Sequence, residues 1–344
     1  LPEMLKEKGY KTAAIGKWHL GWNWDAIRNK EVRAITVQEG RRKKQQLGPE
    51  AFDWTKSIPN GPLDHGFDYY FGDTVINFPP YCWIENDKVV KAPDTHMQTG
   101  KWKKIKEGGW ECRPGPMVTG WDPYKNIPTT TKKGVDYIKE AAKAEEPFFL
   151  YFAYPAPHAP IIPNDEFDGK SKAGPYGDFV YETDHSIGQL LQALKDSGQA
   201  ENTIVIFSAD NGPEHYAYAR DAKFDHWSAH PFRGLKRDAY EGGHHVPFMV
   251  KYPGVTMAGT VNDALVSQID GRERDCIRIV AKITISEMPP FIRQREKARL
   301  SHCLLKDFLS LHHFRIRMLV GRGGLRGKTI KASGHLNRLT RFCD

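Results

Sequence analysis

The chain has 344 residues, 40% of them hydrophobic and 12% aromatic, which is enough for a sizeable core and for two domains. No stretch approaches the roughly 18 consecutive apolar residues of a membrane span, so no membrane-spanning segment is expected. The net charge of +8 does not indicate a nucleic-acid partner, because the excess is confined to one end. Residues 271–344 hold 17 Lys and Arg against 6 Asp and Glu, whereas residues 1–270 hold 33 against 36.

The first half of the chain is predicted to alternate helices with apolar strands. Residues 1–8 are typical of the end of a helix that stops at Gly9, and residues 12–15 of a short buried strand. That strand would deliver Lys17 and His19 to its carboxyl end. A helix is predicted over residues 131–144, followed by a strand over residues 148–153.

The second half continues the same alternation. Val180, Ile187, Leu191 and Leu194 recur at helical spacing, and Gly198 follows them as a stop signal. Strands are predicted over residues 203–207 and 246–251. Continuous apolar strands between helices indicate an α/β fold with a parallel sheet covered on both faces.

Residues 22–128 are rich in Gly, Pro, Trp and charge and show weak periodicity, so they are predicted to be long excursions over the sheet. Within them, residues 80–87 could line the mouth of a site or pack locally. Because ligands gather at the carboxyl ends of parallel strands, the segments that contain Lys17, His158 and Asp210 are the candidate site.

Three ordered segments carry residues suited to chemistry. Residues 14–21 (AIGKWHLG) place a lysine and a histidine two positions apart, a pair that can hold an anion. Residues 207–214 (FSADNGPE) offer Asp210 and Asn211, whose oxygens suit calcium or magnesium better than zinc, although Asp-Asn-Gly alone would be ordinary turn chemistry. The third segment runs from FRGLK at 232–236, which contains Lys236, to YEGG at 240–243.

Together with GYKT at 9–12 and HGFD at 65–68, these segments resemble the type I sulfatases of the alkaline phosphatase superfamily. The resemblance covers about residues 1–270. It implies an α/β core with a mostly parallel sheet and helices on both faces. It also implies a sulfuric ester hydrolase that cleaves aryl or carbohydrate sulfates, either small molecules or sulfated carbohydrates, in a periplasmic, secreted or lysosomal setting.

The same resemblance assigns roles to six residues. Lys17 and His19 would hold a formylglycine hydrate, and Lys17 would also contact substrate. His158 and Lys236 would contact the sulfate and protonate or stabilise the leaving group. Asp210 and Asn211 would bind one calcium ion. Outside these motifs, either lysine would be interpreted as a solvated surface residue, and a lone histidine as structural.

The family's nucleophile is a cysteine or serine in a Cys/Ser-x-Pro/Ala-x-Arg motif, which is converted to formylglycine. It lies upstream of the Gly-Lys-Trp-His segment, together with two metal-binding aspartates. None of the five cysteines here shows that motif. The sequence therefore predicts a chain truncated at its N-terminus, with a half-built metal site and no activity on its own.

Two other functions stay open. One is a non-catalytic protein that keeps the anion pocket. The other is a phosphatase or phosphodiesterase of the same superfamily, whose members commonly use two zinc ions with histidine-rich ligands, whereas this chain has Asn211 at the decisive position.

A change in composition near residue 270 predicts a boundary between a partial catalytic domain, 1–270, and an atypical basic tail, 271–344. The tail has 12 Arg and 5 Lys, against 8 and 25 before it, and contains no Trp or Tyr. We interpret it as frame-shifted or disordered, with a genuine basic extension as the alternative.

Overall fold

The computed structural model describes residues 1–39, 42–97, 106–108 and 112–261. The predicted tail at 271–344 and the predicted boundary near 270 lie outside these residues. The chain forms two compact units, Leu1–Ala200 and Glu201–Asp344.

The first unit is built on a five-stranded sheet with the strand order β6-β5-β4-β1-β9. Its elements are α1 (Pro2–Lys6), β1 (Lys11–Gly16), β2 (Ile35–Glu39), β3 (Arg42–Gln46), β4 (Tyr69–Gly72), β5 (Ile84–Glu85), β6 (Lys88–Val89), β7 (Thr95–Met97), β8 (Gly115–Met117), α2 (Asn126–Ala141), β9 (Phe148–Ala153) and α3 (Gly174–Asp196). Short 3-10 turns lie at Trp24–Ile27, Pro49–Ala51, Pro62–His65, Pro123–Lys125 and Ala200–Asn202.

Parallel pairing is concentrated at the centre of this sheet. Strand β1 pairs in parallel with β4 and with β9, and its register with β9 runs from Lys11 opposite Phe148 to Gly16 opposite Ala153. Strands β5 and β6 continue the sheet in antiparallel fashion. The α/β class is confirmed, and the sheet is mixed because a hairpin extends its β4 side.

Helix α2 packs against β1, β4 and α3. The absence of a side chain at Gly134 lets Phe152 and Leu190 approach the helix, since a Cβ atom there would lie 2.6 Å from the Phe152 ring. One core cluster joins α2 and α3 to the loops at the carboxyl ends of the strands, through Ile76, Ile127, Ala156, Ile161, Ile162 and Phe179.

The predicted helix around residues 180–194 is confirmed as α3, but not all of the apolar residues at helical spacing are buried. Val180 and Leu191 are 40% and 42% exposed, whereas the neighbouring Phe179 and Leu190 are buried. Leu194 is buried as expected. The buried residues Phe179 and Leu190 each lie one position before the residue at helical spacing, because an apolar residue precedes both Val180 and Leu191.

The segment 22–128 contains more of the sheet than its weak periodicity predicted. Strand β4 lies inside it and is a direct neighbour of β1, so the prediction of excursions alone was wrong there. Residues 80–87 pack locally, since Tyr81, Cys82 and Ile84 are fully buried. The interpretation of this segment as the mouth of a site is therefore not supported.

The second unit contains β10 (Val205–Ser208), α4 (Tyr216–Phe224), α5 (Glu241–His244) and β11 (Phe248–Lys251). Strands β10 and β11 pair antiparallel, Val205 opposite Lys251, so the parallel pairing expected for residues 246–251 was wrong. None of the helices in the described ranges is both long and apolar enough to cross a membrane.

Candidate functional site

The carboxyl ends of three strands meet at Lys17. The backbone N–H of Lys17 donates to the carbonyl of Ala153 at the end of β9, over 2.8 Å. The next residue, Trp18, donates to the carbonyl of Thr74 just beyond β4, over 3.1 Å. The turn that carries Lys17 is thus fixed between the ends of β4 and β9.

Glycine is required at the start of this turn. Gly16 has a φ of +105°, and a Cβ atom there would lie 2.1 Å from the carbonyl oxygen of Ala153. Any side chain would separate β1 from β9 at the point where Lys17 begins. The close approach of β1 and β9 therefore requires the glycine of the Gly-Lys-Trp-His segment.

A buried carboxylate that the sequence analysis missed lies beside this turn. Asp73 follows β4 and is 2% exposed, and the Asn126 amide donates to its Oδ2 over 2.7 Å. Its Oδ1 has no hydrogen-bond partner among the described residues. Burial raises the Asp73 pKa to about 6, while the Asn126 hydrogen bond and the Lys17 charge act in the opposite direction.

The two candidate site histidines of the first unit differ in their surroundings. His19 is exposed, and its ring lies 5.5 Å from the Phe78 ring at 83°. His158 is partly buried in the loop after β9, where its Nδ1 lies 2.6 Å from the carbonyl of Ala159. Because a carbonyl can only accept, Nδ1 carries the proton, and Nε2 is the atom at which His158 gains or loses one.

In the second unit, backbone hydrogen bonds join the segment 207–214 to the segment 232–243. Gly212 donates to the carbonyl of Gly243 over 2.9 Å, and Lys236 donates to that of Pro213 over 2.8 Å. A Cβ atom at Gly212 would lie 1.8 Å from the Gly242 carbonyl, so the contact requires glycine. Lys236 and the loop of Asp210 and Asn211 therefore belong to one cluster.

The side-chain oxygens of Asp210 and Asn211 are ligands of the kind that a hard cation prefers, but two residues supply only a few such ligands. Asp210 is exposed, and the Asn211 amide nitrogen donates to the carbonyl of Gly212 over 2.9 Å. That bond directs the side-chain oxygen of Asn211 to the role of ligand or acceptor. No group of three or more His, Cys, Asp or Glu side chains that could hold a metal occurs in the described part of the chain.

A second acidic residue that received no role from the sequence is well anchored in this cluster. Partial burial acts to raise the pKa of Glu214, but hydrogen bonds from Arg237 and His215 bring it down to about 2. The Arg237 guanidinium lies 2.5 Å from its Oε1. Glu214 is the last residue of the segment 207–214, and its partner Arg237 lies between the FRGLK and YEGG motifs.

The remaining basic residues near Lys236 have structural contacts. Arg233 lies over the Tyr240 ring, with 4.0 Å between the guanidinium carbon and the ring centre. The His245 ring stacks on Phe232 with 4.0 Å between ring centres. Lys17, His19 and His158 belong to the first unit, and Asp210, Asn211 and Lys236 to the second.

The chain is similar to curated sulfatases over most of its length. It is 33% identical over 270 residues to N-acetylgalactosamine-6-sulfatase from Canis lupus familiaris and from Homo sapiens, covering 78% of this chain and 42% of each relative. It is 30% identical over 343 residues to N-acetylgalactosamine-6-O-sulfatase from Bacteroides thetaiotaomicron, covering 90% of this chain and 61% of that protein. The chain thus spans about two fifths to three fifths of these relatives.

Solved structures agree with this similarity. A protein of a Bacteroides thetaiotaomicron locus for the metabolism of multiple glycosaminoglycans has a TM-score of 0.55 at 27% identity, covering 74% of this chain and 55% of that chain. PsFucS1 sulfatase from Pseudoalteromonas sp. has a TM-score of 0.53 at 25% identity, covering 84% and 51%. Both confirm the alkaline-phosphatase-like α/β fold of a sulfatase.

A family model described as Sulfatase matches residues 1–271, which is more than three quarters of the sequence. That range includes all six residues for which the motifs predict a role. Proteins of this family in general use a divalent metal and a formylglycine. The chain belongs to the sulfatase family.

Proposed function

We propose that the protein is a sulfuric ester hydrolase of carbohydrate sulfates, and that Lys17 and His158 bind its sulfate group. The observation that carries the proposal is the hydrogen bond from Lys17 N to Ala153 O. It joins the ends of β1 and β9, from which the Lys17 and His158 segments both depart. The names of the relatives favour a 6-sulfated N-acetylgalactosamine as substrate.

The chemistry of a sulfate monoester needs positive charge and a proton donor. Negative charge moves onto the bridging oxygen as the sulfur–oxygen bond breaks, so cations around the sulfate and an acid at the leaving oxygen lower the barrier. We assign the cations to Lys17 and Lys236. His158, whose Nδ1 lies 2.6 Å from Ala159 O, would deliver the proton from Nε2.

His19 and the loop of Asp210 and Asn211 complete the proposal. His19 would assist Lys17 in holding the hydrated nucleophile, as in the family. Asp210 and Asn211 would hold a calcium ion through oxygen ligands, and the ion would supply further positive charge to the sulfate. Because calcium prefers about six to eight oxygens, these two residues provide only part of its coordination.

A second candidate function is sulfate-ester binding without turnover. It is favoured by one observation: the printed sequence contains no Cys/Ser-x-Pro/Ala-x-Arg motif. We therefore expect the 344-residue chain to hydrolyse neither aryl sulfates nor sulfated sugars. Turnover of an aryl sulfate by the pure chain, abolished by Lys236→Ala, would show that another residue replaces the family's nucleophile.

Titration calorimetry with N-acetylgalactosamine 6-sulfate tests the binding site that both candidates share. We expect Lys17→Ala to weaken binding about tenfold or more, because a charge-assisted hydrogen bond contributes about 1.5–3 kcal/mol. Lys132→Ala is the matched control, since Lys132 is an exposed lysine of α2 that pairs with Asp136. Equal affinity of the chain for the unsulfated sugar would contradict the proposal.

A further inference from the structure

We propose that Arg113, stacked on Phe78 beside His19, forms a subsite for a second anionic group of the substrate. That group would be a carboxylate or a sulfate on the sugar next to the sulfated one. The inference rests on the proposed function, because it places the new subsite relative to the residues expected to hold the ester. It assigns a binding role to a residue that belongs to none of the sulfatase motifs.

One phenyl ring connects Arg113 with the candidate catalytic histidine. The guanidinium carbon of Arg113 lies 3.9 Å from the centre of the Phe78 ring. The His19 ring lies 5.5 Å from the same ring, nearly perpendicular to it. Arg113 and His19 therefore share one aromatic patch just beyond the Lys17 turn.

The backbone of Arg113 is held on both sides. Its N–H donates to the carbonyl of Asn77 over 3.0 Å. Its own carbonyl accepts from the hydroxyl of the fully buried Tyr81 over 2.6 Å, and that hydroxyl also lies 3.0 Å from the Asn77 carbonyl. Hydrogen bonds thus fix the backbone of Arg113 to that of Asn77, the residue before Phe78. Little backbone entropy would therefore be lost when a ligand binds.

The chemistry of the stacked arginine suits an anion. Stacking on a ring face leaves the in-plane N–H donors of a guanidinium available, and their fork matches a carboxylate or sulfate. Arg113 is exposed, and no acidic side chain in the described ranges forms an ion pair with it. The stack restrains the cation without neutralising it, since an exposed cation–π contact is weak.

Calorimetry with three disaccharides tests the subsite. Each carries one 6-sulfated N-acetylhexosamine, and the neighbouring sugar is a uronate, a sulfated neutral sugar or an unmodified neutral sugar. We expect the chain to bind at least one of the two anionic disaccharides about tenfold more tightly than the neutral one. Comparison of the uronate with the doubly sulfated ligand identifies which anion Arg113 prefers.

The variants separate a subsite from a structural role. Arg113→Gln should remove the preference while leaving affinity for the neutral disaccharide unchanged, which also shows that the variant is folded. Arg113→Lys should retain part of the preference, because it keeps the charge but loses the planar fork. Lys132→Gln, on an exposed face of α2, should change neither affinity.

Three other outcomes would contradict the subsite, the role of Arg113 or the proposed function. Equal binding of all three disaccharides by the unmodified chain contradicts the subsite but leaves the proposed function intact. A preference that survives in Arg113→Gln places the second anion on other residues. Failure of the unmodified chain to bind any 6-sulfated ligand contradicts the proposed function, and the inference with it.

Discussion

Asp73 shows at the scale of a single residue how burial sets the charge beside the candidate site. It is enclosed at the end of β4, with Asn126 as its donor and Lys17 as the neighbouring charge. Sequence reasoning identified Lys17 because a motif surrounds it. It missed Asp73 and Arg113, because their roles come from contacts between segments that are distant in the chain.

Asp73→Asn should change how stability depends on pH. Because burial raises the Asp73 pKa from 3.8 to about 6, the folded protein binds this proton more tightly than the unfolded chain does. The wild-type free energy of unfolding should therefore lose up to about 3 kcal/mol from this group as pH rises from about 4 to 7. The variant should not show this loss.

Urea unfolding at pH 4.5 and pH 7.5 measures the effect. The stability of Asp73→Asn relative to wild type should increase with pH, while the relative stability of Asp136→Asn, which alters an exposed carboxylate of α2, should not follow that trend. A difference for Asp73→Asn that is the same at both pH values would show that the carboxyl is not perturbed by burial.

Arg237 permits a test of backbone strain next to Lys236. It has a φ of +78°, a conformation that costs a residue with a side chain about 1 kcal/mol or more and costs glycine little. Arg237→Gly and Arg237→Ala both remove the ion pair with Glu214. The glycine variant should therefore be the more stable of the two by about 1 kcal/mol, as measured by thermal unfolding. Equal stabilities would mean that this residue is not held at positive φ.

At the scale of elements, continuous apolar runs were the reliable signal. Residues 148–153 were predicted as a strand and form β9 with the same bounds, since a continuous apolar run without alternation is typical of a parallel strand. Strand β4 escaped detection because it has only four residues and follows a stretch dense in Pro and Gly. The buried face of α3 could not be read from the sequence, because periodicity cannot choose between adjacent apolar residues.

The two adjacent residues on α3 give a direct test of that face. Phe179 is 1% exposed and packs with Ile76 and Ile161, so Phe179→Ala should cost about 3–5 kcal/mol of stability. Val180→Ala should change stability by about 0.5 kcal/mol or less, because Val180 is 40% exposed. Denaturant unfolding of both variants measures the contrast. A larger loss for Val180→Ala would contradict the observed orientation of the helix.

At the scale of the whole molecule, the α/β class and the sulfatase family were both accessible from sequence. Ordered motifs identify the family, and two of them contain a glycine where backbones touch, Gly16 and Gly212. The antiparallel pairing of β10 with β11 could not be predicted, because a short apolar run has the same sequence pattern in parallel and antiparallel sheets. The roles of the six site residues stay predictions.

We expect the Lys17 turn to hold the sulfate group of a carbohydrate ester. A crystal structure of the chain with a 6-sulfated N-acetylgalactosamine would show whether it does. We predict sulfate oxygens within hydrogen-bond distance of Lys17 Nζ, at the joined ends of β1 and β9. A well-ordered ligand whose sulfate contacts neither Lys17 nor His158 would contradict the claim.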